Sequence, residues 1–504
     1  MNVCLLNDSF PPVIDGVANV VMNYASVMTE KKLADVIVGT PRYPDASYEG
    51  YPYRVIPYQS FDTTGIVAGY RAGNPLAMKA IREMADTAPD IIHSHCPVAS
   101  TVMARILRNE TDAPIVFTYH TKFDVDIARA VKDKFIQKES IKALVSNISA
   151  CDEVWTVSRG AGENLKSLGY EGDYHVVSNG VDFAKGKADE AKVREVTEGF
   201  DLPEKLPVFL FVGRMMEYKG LPIIIDALSI LSDAGEDYRM VFVGDGADRA
   251  GMEEKIKQSG ITLDTFDEKG ERKVFPGTEG KKGMVIFTGA VHDREILKAW
   301  NTRADLFLFP STYDTNGIVV REAAACGLAA VLIKDSCAAE GITDGRNGFI
   351  IDETPESMAT LLKELSKDKG RMASVGEKAM EEIYISWESA VESACDRYGV
   401  IMERHEEELD RRNSMRFHEK LSEGFYEIGD SFVKSTSKIL EFPRAVYEGM
   451  EDNVYGLIEG IEQAGERMIE KSRENLHEMK ANLKEGFREG FEGKLKELNG
   501  GKDE

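Results

Sequence analysis

Residues 309–327 read Phe-Pro-Ser-Thr-Tyr-Asp-Thr-Asn-Gly-Ile-Val-Val-Arg-Glu-Ala-Ala-Ala-Cys-Gly. Just before them, Asp305-Leu-Phe-Leu-Phe309 is a short apolar run closed by a proline, the pattern of a buried parallel strand. Just after the polar stretch, Val319 to Cys326 is alanine-rich and stops at Gly327, which predicts a helix with a glycine at its end. The loop between, Ser311 to Gly317, therefore follows the carboxyl end of a strand, where open α/β sheets bind ligands. A helix starting near Asn316, Gly317 and Ile318 leaves its first N–H groups free, and these make an anion site.

Two carboxylates flank that site: Asp314 in the loop and Glu322 in the first turns of the helix. Ionised carboxylates only accept hydrogen bonds, so a pair of them around an anion pocket suits a ligand rich in hydroxyls. A nucleotide sugar has this character, with phosphates for the helix end and hydroxyls for the acids. The plainer reading is that Glu322 complements the helix dipole. A capping box is excluded, because Val319 stands three residues before Glu322.

Outward from this stretch, strand and helix patterns alternate along most of the chain. Val3–Leu6, Asp35–Gly39, Asp90–His95, Ile115–Tyr119 and Glu153–Val157 read as strands, with helices after Val17, over 75–86 and to about Arg108. Residues 184–206 are charged with few large apolar side chains and read as a linker. The pattern then restarts with strands at Val208–Val212, Arg239–Val243, Met284–Phe287, Asp305–Phe309 and Ala329–Ile333. The fold class is α/β, two doubly wound domains with a cleft between their strand ends. Residues 41–58 read as a Tyr/Pro-rich loop, and 261–283 as a charged, glycine-rich excursion without a legible purpose.

From 404 onward the residues are of helical period. Tyr447, Met450, Val454, Leu457, Ile461, Ala464 and Met468 step by three and four, and Leu483, Phe487 and Phe491 step by four. Glycines at 449, 456, 460, 465, 486, 490 and 493 interrupt the seam, each costing ~1 kcal/mol against alanine. A helix that forms on contact with a partner or lipid surface fits this pattern better than a rigid coiled coil.

The composition bounds the function. At 504 residues more than one domain is expected, and a net charge of −24 argues against wholesale nucleic-acid binding. Six cysteines without a CxxC spacing read as reduced, packed thiols of a cytoplasmic protein. The opening residues MNVCLLNDSF turn polar too soon for a signal peptide, and no run approaches the ~18 apolar residues of a spanning helix.

Further residues gather at predicted strand ends. Val212-Gly-Arg-Met-Met-Glu-Tyr-Lys-Gly220 places Arg214 and Lys219 beside a helix start, two cations suited to a diphosphate or simply solvated. Val243-Gly-Asp-Gly246 is a tight turn near the ligand, with Gly244 at its first step; Arg249 breaks the dinucleotide fingerprint. His120 ends the strand Thr118-Tyr-His-Thr121, and the residues alone leave a structural and a functional role open. His93 and His95 share a strand face without a third ligand, which argues against zinc. Asp124-Val-Asp126 opens a helical segment, where acids are ordinary.

Taken together, GRMMEYKG, VGDG, FTGAV at 287–291, SNGVD at 178–182 and PSTYDTNGIVVREAAACG resemble the retaining glycosyltransferases of the GT-B fold, family 4, over about residues 1–403. The resemblance implies an acceptor-side Rossmann-like domain over 1–184 and a nucleotide-sugar-binding one over 205–375. It also implies a crossing helix over 376–404 marked by Trp387, then an amphipathic helical tail over 405–504. It implies that Glu322 binds the ribose diol and Asp314 the donor sugar. Asn316, Gly317, Ile318 and Val319 would hold phosphate and sugar, Arg214 and Lys219 would neutralise the diphosphate, and Gly16 would let its loop approach the donor. His120 matches the family histidine near the sugar 6-hydroxyl. The family acid pair is usually two glutamates; the first is Asp314 here, one methylene shorter, which bears on sugar choice. No metal or cofactor is implied, the donor being a substrate, UDP-glucose by family weight.

TYHT and DIIHSH look like lipid-directed members such as diacylglycerol glucosyltransferases. This implies a membrane-lipid acceptor and a peripheral position on the inner face of the plasma membrane through residues 405–504. Against it, the tail's 24 acids and 16 bases would be repelled by anionic lipid. Two other readings stand beside it: a transferase for a glycan or small-molecule acceptor with a self-associating tail, and a sugar-binding scaffold that has lost turnover.

Overall fold

The computed structural model describes residues 1–413, apart from Ile14, Asp45, residues 64–69 and Glu268. Residues 1–406 form one compact unit. The stepped apolar residues from Tyr447 to Phe491, and the membrane or self-association role expected of them, lie outside the described residues.

The first lobe runs β1 (Asn2–Leu6), α1 (Gly16–Glu30), β2 (Asp35–Pro41), β3 (Arg54–Tyr58), the hairpin β4 and β5 (Ser60–Asp62, Arg71–Gly73) and α2 (Met78–Ala85). It continues through β6 (Ile91–Ser94), α3 (Ala99–Thr111), β7 (Ile115–Tyr119), α4 (Phe123–Ala130), α5 (Lys134–Ser149), β8 (Glu153–Thr156), α6 (Arg159–Ser167) and β9 (His175–Val176). Its main sheet has the order β3-β2-β1-β6-β7-β8-β9 and is parallel throughout. The winding reverses between β1 and β6, so the loops after these strands, carrying Gly16 and His95, open at the crevice where such sheets take ligands.

The second lobe is reached through α7 (Glu190–Thr197) and runs β10 (Val208–Val212), α8 (Leu221–Asp233), β11 (Arg239–Val243), α9 (Arg249–Gln258), β12 (Thr262–Phe266) and β13 (Arg272–Phe275). Then follow β14 (Met284–Gly289), α10 (Arg294–Arg303), β15 (Leu306–Phe309), α11 (Ile318–Ala325), β16 (Ala330–Ile333), β17 (Phe349–Ile351), α12 (Pro355–Leu365) and α13 (Lys369–Glu382). Its sheet order is β13-β12-β14-β11-β10-β15-β16-β17, antiparallel only at β12–β13. Here the winding reverses between β10 and β15, which brings together the loop of Arg214 and Lys219 and the loop of Asp314. All of Val208–Val212 and Leu306–Phe309 are buried, as near-continuous apolar runs require in a sheet covered on both faces.

The chain then returns. After α13 a break at 383–386 precedes α14 (Trp387–Asn413), whose Trp387, Ala390, Val391, Ala394, Tyr398 and Ile401 pack into the first lobe's core with Val3, Leu5, Val20 and Trp155. Gly180 lies flush against this start, since a Cβ there would sit 2.5 Å from the Trp387 backbone. The Trp387 indole donates to Asp182 at 2.7 Å. The segment 376–404 is thus the end of one helix and the start of another, and the described helix continues past 405.

Three stretches carry more structure than their composition shows. The 261–283 excursion is a hairpin that extends the sheet edge, its buried Asp264 held by Arg272 from the facing strand. The 184–206 stretch contains α7, capped by Asp189 and lying against α10. The 41–58 stretch ends in β3.

Candidate active site

The loop after β15 is fixed from within. Ser311 is fully buried and its hydroxyl donates to Asp314 Oδ2 at 2.6 Å, while Lys219 Nζ bonds Asp314 Oδ1. Gly317, at φ +60°, turns the chain into α11, and no side chain caps that helix. Among the described residues its first N–H groups, those of Ile318 and Val319, take no backbone or side-chain partner, which leaves an unanswered positive end at this loop. The Asn316 amide has neither its nitrogen nor its oxygen partnered, though both atoms are buried, so it offers a donor and an acceptor to an incoming group.

The neighbouring loops meet because glycines let them. A Cβ at Gly220 would sit 2.0 Å from the Pro310 carbonyl, and one at Gly244 would sit 2.0 Å from the Gly213 carbonyl. Gly220 thus brings the Lys219 loop against the Asp314 loop. Gly244 packs beneath the Arg214 loop and serves the site through that packing. Arg214 itself is exposed; its charge acts on Tyr70, whose phenol donates to Asp15 Oδ2 at 2.9 Å. Burial first, then Asp15, push that phenol up, and Arg214 opposes them across the cleft. Asp15 caps α1, so Gly16 follows the cap with nothing within 4 Å of its missing side chain.

Glu322 is buried, and desolvation raises its carboxyl above the usual range. Arg294, from the start of α10, opposes that rise: Nη2 lies 2.5 Å from Glu322 Oε1 and 3.0 Å from Asp182 Oδ2. Arg294 Nε is buried without a partner, and the guanidinium lies over the Phe183 ring. Sequence reasoning missed Arg294. The only hint was Asp293, an N-cap signal that places the next side chain at a helix start.

The first lobe touches this assembly directly. Thr315 Oγ1 donates to the His120 carbonyl at 2.5 Å, and Lys122 Nζ to the Thr312 carbonyl at 3.1 Å. The His120 ring is buried, which pushes its pKa down to about 3, and Nε2 lies 2.9 Å from His95 Nδ1. Below the cleft, Glu340 accepts from the N–H groups of Arg159 and Gly160 at 2.7 and 2.5 Å, clamping the start of α6 to the second lobe. Arg321 reaches back from α11 to the Ile383 carbonyl and Ser178 hydroxyl.

The structure therefore gathers Lys219, Asp314, Asn316, Gly317, Ile318 and Val319 at one helix end. Glu322 stands on the same helix beside Arg294, and His120 adjoins the Asp314 loop from the other lobe. Asp124 and Asp126 lie on α4, as expected for acids opening a helix. Among the described residues no group of three His, Cys, Asp or Glu side chains is arranged to hold a metal ion.

Residues 14–185 match the family described as Glycosyltransferase Family 4, and residues 206–368 match Glycosyl transferases group 1. A sulfoquinovosyl transferase of Arabidopsis thaliana is 26% identical over 73% of this chain and 67% of its own. A GDP-mannose-dependent alpha-(1-6)-phosphatidylinositol dimannoside mannosyltransferase of Mycobacterium tuberculosis is 26% identical over 69% of this chain and 81% of its own. Among solved structures, Anabaena HepE in complex with UDP and glucose is similar at a TM-score of 0.57 and 18% identity, covering 79% of this chain and 99% of that one.

Proposed function

Because the chain belongs to the family 4 glycosyltransferases of GT-B architecture, acting on sugar-nucleotide donors, we propose that it transfers a hexose, with retention of configuration, from a nucleotide sugar to a membrane lipid. The observation that carries the donor half is the uncapped start of α11 with the Lys219–Asp314 pair beside it. A leaving diphosphate gains from the helix N–H groups and from Lys219 and Arg214, most when its charge is greatest, in the transition state. Glu322 takes the ribose diol and Asp314 a sugar hydroxyl, while the His120 ring meets the sugar from the opposite lobe. The leaving phosphate and the attacking acceptor share one face of the sugar, so departing oxygen guides the acceptor proton. Contact between the lobes keeps water from competing as acceptor.

The donor is UDP-glucose in this reading, with the UDP-bound neighbour in support; the GDP-mannose-dependent relative supports the other base. For the acceptor, diacylglycerol or a related lipid, the phosphatidylinositol dimannoside in the name of the mycobacterial relative gives support, and so does the first lobe's surface. Phe135 and Ile136 are 55% and 51% exposed at the start of α5, in a stretch that also carries Lys132, Lys134 and Lys138 and the N-cap Asp133. Exposed apolar anchors in a stretch with more bases than acids suit an anionic bilayer on its cytoplasmic face. No helix among the described residues is long and apolar enough to cross a membrane.

The test is a panel of UDP- and GDP-sugars, each with and without liposomes containing diacylglycerol. Nucleotide release stimulated by lipid, with the sugar recovered in the lipid phase, supports the reading. Release stimulated only by soluble glycans supports a glycan acceptor and a self-associating tail. Binding without release supports the scaffold.

A further inference from the structure

Three histidines are buried side by side in the first lobe, and their bonding is unequal. His93 is satisfied on both nitrogens, by the Tyr398 hydroxyl at 2.5 Å and the Thr118 hydroxyl at 2.7 Å. His95 lies beside it, the two rings tilted by 31° with centroids 4.0 Å apart, yet only its Nδ1 is used, on His120 Nε2 at 2.9 Å. His95 Nε2 is buried with no partner. Among the described residues the other nitrogen of His120, Nδ1, takes no hydrogen bond and is not one of the buried unpartnered atoms, so it keeps some contact with solvent.

A neutral imidazole carries one proton, and which nitrogen holds it is set by the bond the other makes. Two arrangements satisfy the His95–His120 contact. If His120 Nε2 donates, His95 accepts at Nδ1 and must bury an orphaned N–H at Nε2. If His95 Nδ1 donates, the buried Nε2 is a bare lone pair. Orphaned buried N–H groups are rarer than under-used acceptors. The second arrangement leaves His120 with its proton on Nδ1, the nitrogen that His95 does not use.

The geometry points to His95 as a positioning residue that fixes the His120 tautomer, so that His120 presents an N–H donor to a sugar hydroxyl oxygen. This rests on the reading of His120 as a sugar contact. It complements the acids: a hydroxyl can accept from His120 Nδ1–H while donating its own proton to a carboxylate. Burial holds both rings neutral, His120 down to about 3 and His95 well below its ordinary value, so the arrangement persists across the working pH range.

The experiment is long-range nitrogen–proton NMR of the full chain labelled on histidine, with His120 assigned by its loss in His120→Gln. Wild type is expected to show His120 protonated on Nδ1. His95→Asn, which keeps an N–H donor near the same point, is expected to preserve that state. His95→Asp, whose carboxylate only accepts, is expected to draw the proton to Nε2. In nucleotide-release assays His95→Asp should lower kcat/KM about tenfold, His95→Asn should keep most of it, and His95→Asp should cost little more once His120→Ala is present. A wild-type His120 protonated on Nε2 overturns the proposal, and this spectrum decides the matter even if His95→Asp fails to fold. A proton that stays on Nδ1 alone in His95→Asp overturns it equally. If the tautomers behave as stated while His120→Ala releases nucleotide as fast as wild type, the sugar contact is wrong and the hydrogen-bond assignment stands.

Discussion

Lys219 Nζ bonds Asp314 Oδ1, so the cation proposed for the leaving phosphate and the acid proposed for the sugar neutralise each other before a donor arrives. Ser311 holds the second Asp314 oxygen at 2.6 Å. The shorter acid is thus drawn back toward its own loop, where a glutamate would reach one methylene further into the cleft.

Lys219→Ala is expected to lower kcat by about 100-fold, the scale seen when one charge-stabilising donor is removed from a reaction centre. Sugar preference should hold, because Ser311 still fixes Asp314 once its pair with Lys219 is lost. Nucleotide release measured across the sugar panel checks both halves. Asp314→Glu, by contrast, should change the ranking of sugars with smaller loss of turnover.

Arg294→Ala leaves Glu322 buried without its ion partner. Breaking a wholly buried pair costs about 3–5 kcal/mol, but the Arg294 side chain is 40% exposed and solvent screens the pair. A loss of about 1–2 kcal/mol in denaturant unfolding is expected, with the donor KM raised more than kcat is lowered. Arg294→Lys should recover only part, since an ammonium lacks the flat guanidinium face that lies over the Phe183 ring.

Gly160→Ala tests the contact between the lobes. Its Cβ would meet Cys337 Sγ at 2.5 Å and Glu340 Oε1 at 3.2 Å, so the Glu340 clamp on α6 must open. Small-angle scattering should show a larger radius of gyration, and turnover should fall while each lobe keeps its fold by circular dichroism.

The buried histidines set a pH dependence. His93, His95 and His120 all have folded pKa values depressed by burial, His120 to about 3. Above the unfolded value of about 6.5 neither state gains a proton, and below it the unfolded chain binds protons that the folded chain refuses. Stability is therefore lost as pH falls from about 6.5, by up to about 1.4 kcal/mol per pH unit for each histidine. Thermal unfolding between pH 7 and pH 5 should show Tm falling, and His93→Gln should flatten that slope.

Both lobes were legible because buried parallel strands are near-continuous apolar runs, as in Val208–Val212 and Leu306–Phe309. The strand Thr262–Phe266 was not, since its buried Asp264 is made tolerable only by Arg272 on the facing strand, a pairing that composition does not display. The strand-end residues of the site were legible from spacing and family likeness. Their mutual pairing was not: Lys219 with Asp314, Arg294 with Glu322 and His95 with His120 are contacts between segments far apart in the chain.

The central claim is that the start of α11, with Lys219 beside it, seats the diphosphate of a nucleotide sugar. Calorimetric titration of the full chain with UDP and with GDP tests this most directly, comparing wild type with Lys219→Ala and Glu322→Ala. The account predicts that one nucleotide binds wild type and that each substitution weakens it at least about tenfold, roughly 1.4 kcal/mol. Equal binding by all three proteins, or no binding of either nucleotide to wild type, would contradict it.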